Sequence, residues 1–152
     1  MKKGADLKMM NRINLICLGV KDINRSLEFY KSLGFQTTAN RGAPIVFFNN
    51  QGTKLELYPI KYLAQDINKN NPPVINQTEF SGITLACNMK SKEEVDLLMS
   101  HVQEVGGFII KDPQSTEWGG YGGYFQDPDG YYWEVAYGAS WEFDENDMLV
   151  ID

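Results

Sequence analysis

The chain has 152 residues, of which 43% are hydrophobic and 22% charged, a mix that suits one compact unit or two small halves sharing a core. Twenty acidic residues against fourteen basic ones give a formal net charge of −6. No basic stripe is present for phosphate contacts, so nucleic acid is disfavoured as a partner. No apolar run is long enough to span a bilayer, and the opening MKKGADLKMMNR lacks the apolar stretch of a secretory signal.

The two cysteines, Cys17 and Cys87, each fall inside an apolar, strand-like run. They have neither CxxC spacing nor a histidine nearby, which favours buried, reduced thiols. We therefore expect a cytoplasmic protein.

The first half of the chain predicts a strand followed by a helix. Residues 13–20, INLICLGV, form an apolar run, and Asp22 then stands where an N-cap carboxylate belongs. Gly34 follows the last periodic residue, the usual place of a C-terminal glycine. The apolar positions at helical spacing are Ile23, Leu27, Tyr30 and Leu33.

The second half repeats this pattern. Residues 83–89, ITLACNM, predict a strand, and Ser91 with Glu94 predicts a capping box at the start of a helix. Gly106 and Gly107 close that helix. Its apolar stripe consists of Val95, Leu98, Val102 and Val105.

Each helix is followed by strand-like runs that end in a hairpin, FFNNQGTKLELY in the first copy and YFQDPDGYYWEVAY in the second. Aligning the hairpins pairs Phe48 with Phe125, Gly52 with Gly130 and Glu56 with Glu134. The second turn, DPDG, carries one extra residue, and its glycine suits the positive φ of a bulged hairpin.

The chain thus predicts a single α+β domain made of two βαβββ modules, at about 12–60 and 80–138. The linker 61–79 is rich in Asn, Pro and Gln, which predicts an exposed connection. The acidic tail 139–152 is most simply a solvated surface segment.

Strand alternation assigns side chains to faces. Leu55 and Leu57 share an apolar face, and Glu56 lies on the other one. In the second module Trp133 alternates with Glu134 in the same way. Two glutamates at repeat-equivalent positions, inside otherwise apolar strands, lie either in a pocket or on the surface, and spacing alone leaves both open.

The motifs LxVxDxxxSLEFYxxLGF and FxDPDGxxWEV resemble the vicinal-oxygen-chelate superfamily of glyoxalases, bleomycin resistance proteins and extradiol dioxygenases. The resemblance covers about residues 12–138. More narrowly, FSGITLACNMKSKEEVD and WGGYGGYFQDPDGYYWEVAY resemble a glyoxalase-like subgroup with a WGGYxGYFxDPDGxxWEVA signature.

The resemblance implies a U-shaped, mostly antiparallel eight-stranded sheet around a central cavity, with the helices outside. In glyoxalase I two histidines and two glutamates commonly hold the metal. The glutamate positions fall on Glu56 and Glu134, but the histidine positions fall on Leu15 and Thr84. The chain's one histidine, His101, lies beside the stripe of the second helix, so we expect a surface or structural role for it.

This departure bears on the cofactor, which the sequence does not identify. Zinc and nickel favour imidazole or thiolate ligands, whereas two carboxylates suit a weakly held Mg²⁺ or Mn²⁺. We therefore expect no tight zinc or nickel site. The two-histidine, one-carboxylate iron site of dioxygenase chemistry is also missing.

The residues we expect in a substrate pocket are Leu15, Cys17, Tyr58, Thr84, Trp118, Tyr121 and Tyr132. The glycines of WGGYGG allow close approach to a ligand or motion of a lid, and a plain turn explains them nearly as well.

Two functions follow from the resemblance. The first is a glyoxalase-like enzyme of the lyase or isomerase type, with Glu134 as the base and Glu56 as its partner. The second is a non-catalytic protein that sequesters a small molecule, as bleomycin resistance proteins do. The expected partner is a small-molecule ligand, with neither nucleic acid nor membrane. The sequence leaves open whether the chain forms a homodimer, because modules of this superfamily often pair across a dimer.

Overall fold

The computed structural model describes residues 9–152 and shows among them an α+β arrangement of three helices and seven strands in two mixed sheets. In chain order the elements are β1 (Leu15–Val20), α1 (Ile23–Ser32), β2 (Val46–Phe47), β3 (Lys54–Pro59), α2 (Ile60–Ile67), β4 (Thr84–Met89), α3 (Lys92–Glu104), β5 (Phe108–Ser115), β6 (Tyr121–Gln126) and β7 (Tyr132–Tyr137). Within the described residues no helix is both long and apolar enough to cross a membrane.

The two modules repeat one topology. In the first sheet, of order β1-β3-β2, β1 runs parallel to β3 and β2 runs antiparallel to it. In the second, of order β4-β7-β6-β5, β4 likewise runs parallel to β7, which pairs with β6 in an antiparallel hairpin. Gly130 has a positive φ of 88°, as predicted, and Gly52, which aligns with it in the first hairpin, has a positive φ of 73°.

The first module has one strand fewer than predicted. Residues 35–39 run beside β2, and the Asn49 amide donates to the Gln36 carbonyl. The next acceptor, the Phe47 carbonyl, is bonded by the hydroxyl of Thr37 at 2.7 Å. Because a side chain occupies the place of a backbone amide, no ladder forms. The α+β class is confirmed, whereas the eight-stranded U-shaped sheet is not: the described strands form sheets of three and four.

Both predicted helices begin at the expected caps. The Asp22 carboxylate accepts from the Arg25 amide at 3.1 Å, and the Ser91 hydroxyl accepts from the Glu94 amide at the same distance. The capping box closes one residue early, because the Glu94 carboxylate accepts from the Lys90 amide rather than from that of Ser91.

The linker prediction was incomplete, because the predicted exposed connection begins with α2, whose last seven residues lie in it. The rest of the linker has no helix or strand and is mostly exposed. The helix forms because apolar side chains recur at the spacing of one helix face. These are Ile60, Leu63, Ala64 and Ile67.

One hydrophobic core draws on both modules. It contains Leu18, Leu57 and Phe48 from the first module and Phe125 and Val135 from the second. The predicted faces are confirmed, because the residues that alternate with the glutamates, such as Leu57, are buried.

The DPDG turn of the second module is bonded to α1 of the first. Asp129 accepts from the Lys21 amide and from the Ser26 hydroxyl, both at 2.8 Å. Asp127 accepts from the Tyr30 hydroxyl at 2.5 Å. Both carboxylates are buried, so these bonds supply the partners that their burial requires.

The tail is not simply solvated, which corrects the sequence prediction. Its acidic residues are exposed, but Phe143 bridges to Leu149 and Trp141 packs on Gly138. The Met148 side chain reaches Gly52 in the first module's hairpin. The tail therefore runs from the last strand of the second module back to the first module.

Candidate functional site

The two glutamates lie on the face of their sheets that is turned away from the core, which we call the glutamate face. In the first sheet, Glu56 of β3 stands beside Cys17 of β1 and Phe47 of β2. Glu56 is half-buried, and Phe47 is 50% exposed. The carboxylate thus stands between a thiol and an accessible aromatic ring.

The Cys17 thiol is held in its protonated form. Burial, together with the negative charge of the neighbouring Glu56 and a hydrogen bond to it, raises the pKa of Cys17 to about 12. Since the thiolate is the nucleophile, Cys17 does not supply one near neutral pH. Cys87, by contrast, packs against the core, and burial raises its pKa to about 11. Both thiols are free, but both are partly rather than fully buried, which corrects the prediction of buried thiols.

In the second sheet, Glu134 of β7 stands between Ala86 of β4 and Tyr124 of β6. The Tyr124 hydroxyl donates to Glu134 Oε2 at 2.7 Å. This hydrogen bond, followed by desolvation and by the carboxylate's charge, raises the pKa of Tyr124, so the phenol keeps its proton. The bond engages one carboxylate oxygen of Glu134, whose side chain is half-buried.

An aromatic pair covers one end of this face. The Trp118 ring packs over Gly120, and the Trp141 ring packs over Gly138. The two rings stack with centroids 5.4 Å apart and an interplanar angle of 19°. Trp118 is 55% exposed, so the stack has an aromatic surface that is accessible from solvent.

Between this stack and Glu134 the floor is built from small residues. Gly122 of β6 pairs with Ala136 of β7, one step along the face from the Tyr124–Glu134 pair. A side chain at Gly122 would collide with the Val135 carbonyl oxygen at 2.6 Å. Ala136 is itself only 1% exposed, so β6 and β7 lie in close contact here and a glycine is the residue that fits at position 122.

Helix α2 covers the glutamate face at the end of the first sheet. The Ile60 side chain lies over Gly19, where an added Cβ would be only 2.8 Å away. Tyr58, on the same face, packs against Tyr62 of α2 with centroids 6.3 Å apart. α2 therefore covers the end of this face that holds Gly19 and Tyr58.

Most of the predicted pocket residues lie on the glutamate face by strand register: Leu15, Cys17, Tyr58, Thr84 and Tyr132, with Trp118 packed over it. Tyr121 does not lie on the glutamate face, which corrects the prediction that it lines the pocket. It alternates with Gly122 and turns toward α3, where its hydroxyl donates to Asp96 at 2.6 Å.

Sequence reasoning missed Tyr124, Trp141 and the covering role of α2. The signal for Tyr124 was the register of the second hairpin, because the five residues 127–131 of its turn place Tyr124 opposite Glu134. His101 has a structural role, as expected: its Nε2 donates to the Ser32 carbonyl at 2.6 Å and links α3 to the end of α1.

The donor set does not fit a tight zinc or nickel centre. Leu15, which has no lone pair, begins β1 and is 45% exposed, and Thr84 begins β4 with a hydroxyl only. Within residues 9–152 no group of three or more His, Cys, Asp or Glu side chains is placed to hold a metal ion. A tetrahedral zinc site needs three or four such donors.

The model of the Glyoxalase/Bleomycin resistance protein/Dioxygenase superfamily matches residues 12–135. Among solved structures, a glyoxalase-related enzyme from Fulvimarina pelagi is similar with a TM-score of 0.82 and 26% identity, over 93% of this chain and 99% of that one. A hypothetical protein from S. aureus is similar with a TM-score of 0.72 and 28% identity, over 86% of this chain and 96% of that one.

A lactoylglutathione lyase from Agrobacterium tumefaciens shares the fold, with a TM-score of 0.65 and 20% identity over 90% of this chain and 100% of that one. No curated protein matches the sequence.

Proposed function

The chain belongs to the Glyoxalase/Bleomycin resistance protein/Dioxygenase superfamily, and on that premise we propose that it is a glyoxalase-like small-molecule enzyme of the lyase or isomerase type, working on the glutamate face. The observation that carries the proposal is the bond from Tyr124 to Glu134 Oε2, next to the small residues Gly122 and Ala136. A carboxylate fixed on one oxygen presents the other in a defined direction, as a general base requires.

The proposed chemistry is proton transfer next to a carbonyl group. Glu134 takes a proton from the carbon beside the substrate carbonyl, and the C–H electron pair moves toward the carbonyl oxygen to give an enolate. Where that carbon carries a hydroxyl group, the hydroxyl proton passes to the enolate oxygen and Glu134 returns its proton to the former carbonyl carbon, which completes an isomerisation. Where the substrate has a β-substituent, the enolate re-forms the carbonyl with a new C=C bond as the substituent leaves with its bonding electrons, which completes an elimination. Glu56 is proposed as the partner acid, brought to the substrate from the first sheet.

The surroundings suit this role. Tyr124 is a positioning residue, since it orients the Glu134 carboxylate and keeps its own proton. Cys17 stays protonated beside Glu56, so covalent attack by a thiolate does not compete. No step is assigned to a metal, because the donor set does not fit a tight zinc or nickel centre.

The experiment is a solvent-exchange assay. Small 2-hydroxy ketones and aldehydes are incubated with the protein in D₂O, and deuterium uptake at the carbon next to the carbonyl is followed by NMR. We expect exchange with wild type and a loss of about 100-fold or more in Glu134→Gln, the usual scale of a general base. Glu142→Gln, an exposed residue of the tail, serves as the matched control and should retain the wild-type rate.

Equal exchange in wild type and Glu134→Gln would refute the base role. Exchange by wild type that Glu56→Gln leaves unchanged would remove Glu56 from the mechanism while keeping Glu134.

The second candidate is a non-catalytic binder that sequesters a small molecule, and the Trp118–Trp141 stack favours it, since stacked indoles suit a flat ligand. The two functions differ in what the glutamates do. If they only attract a cation, one glutamate suffices for binding, and ligands are retained without deuterium uptake. A binder therefore shows tight retention of a flat cation and no exchange with any carbonyl compound.

A further inference from the structure

A cavity of about 270 Å³ lies between α2, the connection after it and the start of β7. The apolar stripe of α2 forms one wall, and Val74, Ile75 and Phe80 of the connection form another. The Phe80 ring meets the Tyr132 ring edge to face, with centroids 5.4 Å apart. Mostly apolar walls with few polar groups are typical of small-molecule sites.

Gln77, in the same wall, differs from the other polar residues of the cavity in that its amide is buried without a partner. Both atoms of its side-chain amide, Nε2 and Oε1, are shielded from solvent, and neither has a hydrogen-bonding partner among residues 9–152. In the described part of the chain no other buried side-chain nitrogen or oxygen lacks a partner. Native proteins rarely leave such groups unpaired, since each costs free energy until something bonds to it.

We propose that this cavity is a binding site for an uncharged small molecule that has an apolar body and an amide-type edge, such as a carboxamide or a lactam. Rotation about the last torsion of a glutamine is soft, so the amide plane of Gln77, which already lies in the cavity wall, can align with a ligand at little cost. Nε2 then donates to the ligand carbonyl and Oε1 accepts from its N–H. This inference does not depend on the acid–base function of the glutamate face.

Charge and hydrogen bonding both disfavour other classes of ligand at this cavity. The carboxylates of Glu79 and Asp129 border the cavity, so an anionic ligand is repelled. Asp129 is already bonded to the Lys21 amide and to Ser26, which leaves Gln77 as the polar anchor. A hydrocarbon leaves the Gln77 amide unpaired, and an ammonium group offers Nε2 no acceptor.

Three test compounds with one phenyl ring separate these cases: benzamide, methyl benzoate and benzoate. Their binding to ¹⁵N-labelled protein is followed by NMR. We expect benzamide to bind about ten-fold or more tightly than methyl benzoate, which lacks a donor, with benzoate weakest. The Gln77 side-chain NH₂ signals should shift with benzamide.

Gln77→Leu should weaken benzamide binding by about ten-fold, or about 1.4 kcal/mol, and change methyl benzoate binding less. The matched control is Gln103→Leu on exposed α3, which should bind like wild type. Ile67→Trp, at the 67% exposed rim, should weaken binding of both compounds by narrowing the entrance.

Unchanged benzamide affinity in Gln77→Leu, or benzoate binding at least as tightly as benzamide, would overturn the proposal. If Gln77→Leu does not fold, the wild-type Gln77 signals decide. A shift with benzamide supports the site, and a benzamide response confined to Trp118 and Tyr124 places the ligand elsewhere and refutes it.

Discussion

The Tyr30 hydroxyl donates a 2.5 Å hydrogen bond to Asp127 Oδ2, across 97 residues of sequence, and both side chains are buried. Trp133 Nε1 in turn donates to the Tyr30 oxygen at 3.1 Å. Three side chains therefore form a chain of bonds from the turn of the second module through α1 of the first to β7. This polar contact fixes how the two modules pack.

The first prediction is a pH dependence of stability at Asp127. Burial raises its pKa from 3.8 to about 6, against the opposing bonds from Tyr30 and from the amides of Tyr131 and Asp129. The folded state therefore favours the protonated acid. Its contribution to stability is fully present below pH 3.8 and is lost as pH rises through about 6, a change on the order of 3 kcal/mol.

The Asp127→Asn variant has no titrating group at this position. We therefore expect the free energy of unfolding of wild type, minus that of the variant, to decrease as the pH rises from 4 to 7. Urea denaturation across that range measures it. Asp112→Asn, at an exposed position, is the control, and its free energy of unfolding should change with pH in the same way as that of wild type. A difference that stays flat or grows with pH would show that the hydrogen bonds outweigh burial.

The second prediction concerns the other contact of the same turn. Ser26→Ala removes the hydroxyl that donates to Asp129 and leaves a buried carboxylate oxygen unpaired. We expect a loss of about 1–3 kcal/mol in unfolding free energy. Ser32→Ala is the matched control on the same helix, since its hydroxyl only donates to the Glu28 carbonyl at an exposed position. Equal stabilities of the two variants by thermal unfolding would contradict the bracing role of Asp129.

The third prediction tests the Tyr124–Glu134 pair without a substrate. The bond to Glu134 is the largest cause of the raised pKa of Tyr124. Glu134→Gln removes the negative charge that opposes tyrosinate formation, so the pKa of Tyr124 should fall. ¹³C NMR of the ring carbon next to the hydroxyl measures it, with Tyr124→Phe assigning the signal. Glu56→Gln is the control and should leave the titration where it is.

The fourth prediction tests whether the two glutamates meet around one point. Wild type should retain no stoichiometric zinc or nickel after dialysis, because Leu15 and Thr84 supply no imidazole. The double substitution Leu15→His/Thr84→His should create a site that binds either metal and raises the melting temperature when it is added. Elemental analysis and thermal unfolding measure both outcomes. If the double variant binds no metal, the four positions do not converge.

The sequence predicted those parts of the fold that depend on local chemistry. Asp22, Ser91 and the positive-φ glycines act within a few residues of their own position, so their roles could be assigned without knowing the fold. The face of Glu56 followed in the same way, since alternation along a strand is local.

Two kinds of feature were not predicted from the sequence. The first depends on contacts between strands, and the second is the helix α2, whose apolar pattern was not recognised. Alternation placed Glu134 on its face but not Tyr124 beside it, because that pairing needs the register of β6 against β7. In the first module the equivalent neighbour of Glu56 is Phe47, so a repeat in sequence conceals a difference in chemistry. The stripe of α2, from Ile60 to Ile67, was present but was outweighed by the polar composition of the residues after it.

The last prediction concerns the aromatic stack, and it uses a glycine whose backbone tolerates a side chain. Gly120 does not have a positive φ, so an alanine there causes no backbone strain. The Cβ of that alanine, however, would lie 1.9 Å from the Trp118 ring. Trp118 is 55% exposed and free to swing outward, so Gly120→Ala should break the stack with Trp141 while costing little stability. Near-ultraviolet circular dichroism should lose the signal of the coupled indoles, as it should in Trp118→Leu.

If the stack forms the wall of the ligand site, Gly120→Ala should also weaken the binding of a flat ligand, with the carboxylate of Glu134 untouched. A variant that loses the coupled signal yet binds and turns over ligands like wild type would remove the tryptophan pair from the site and leave Tyr124 and Glu134 as its only supported members.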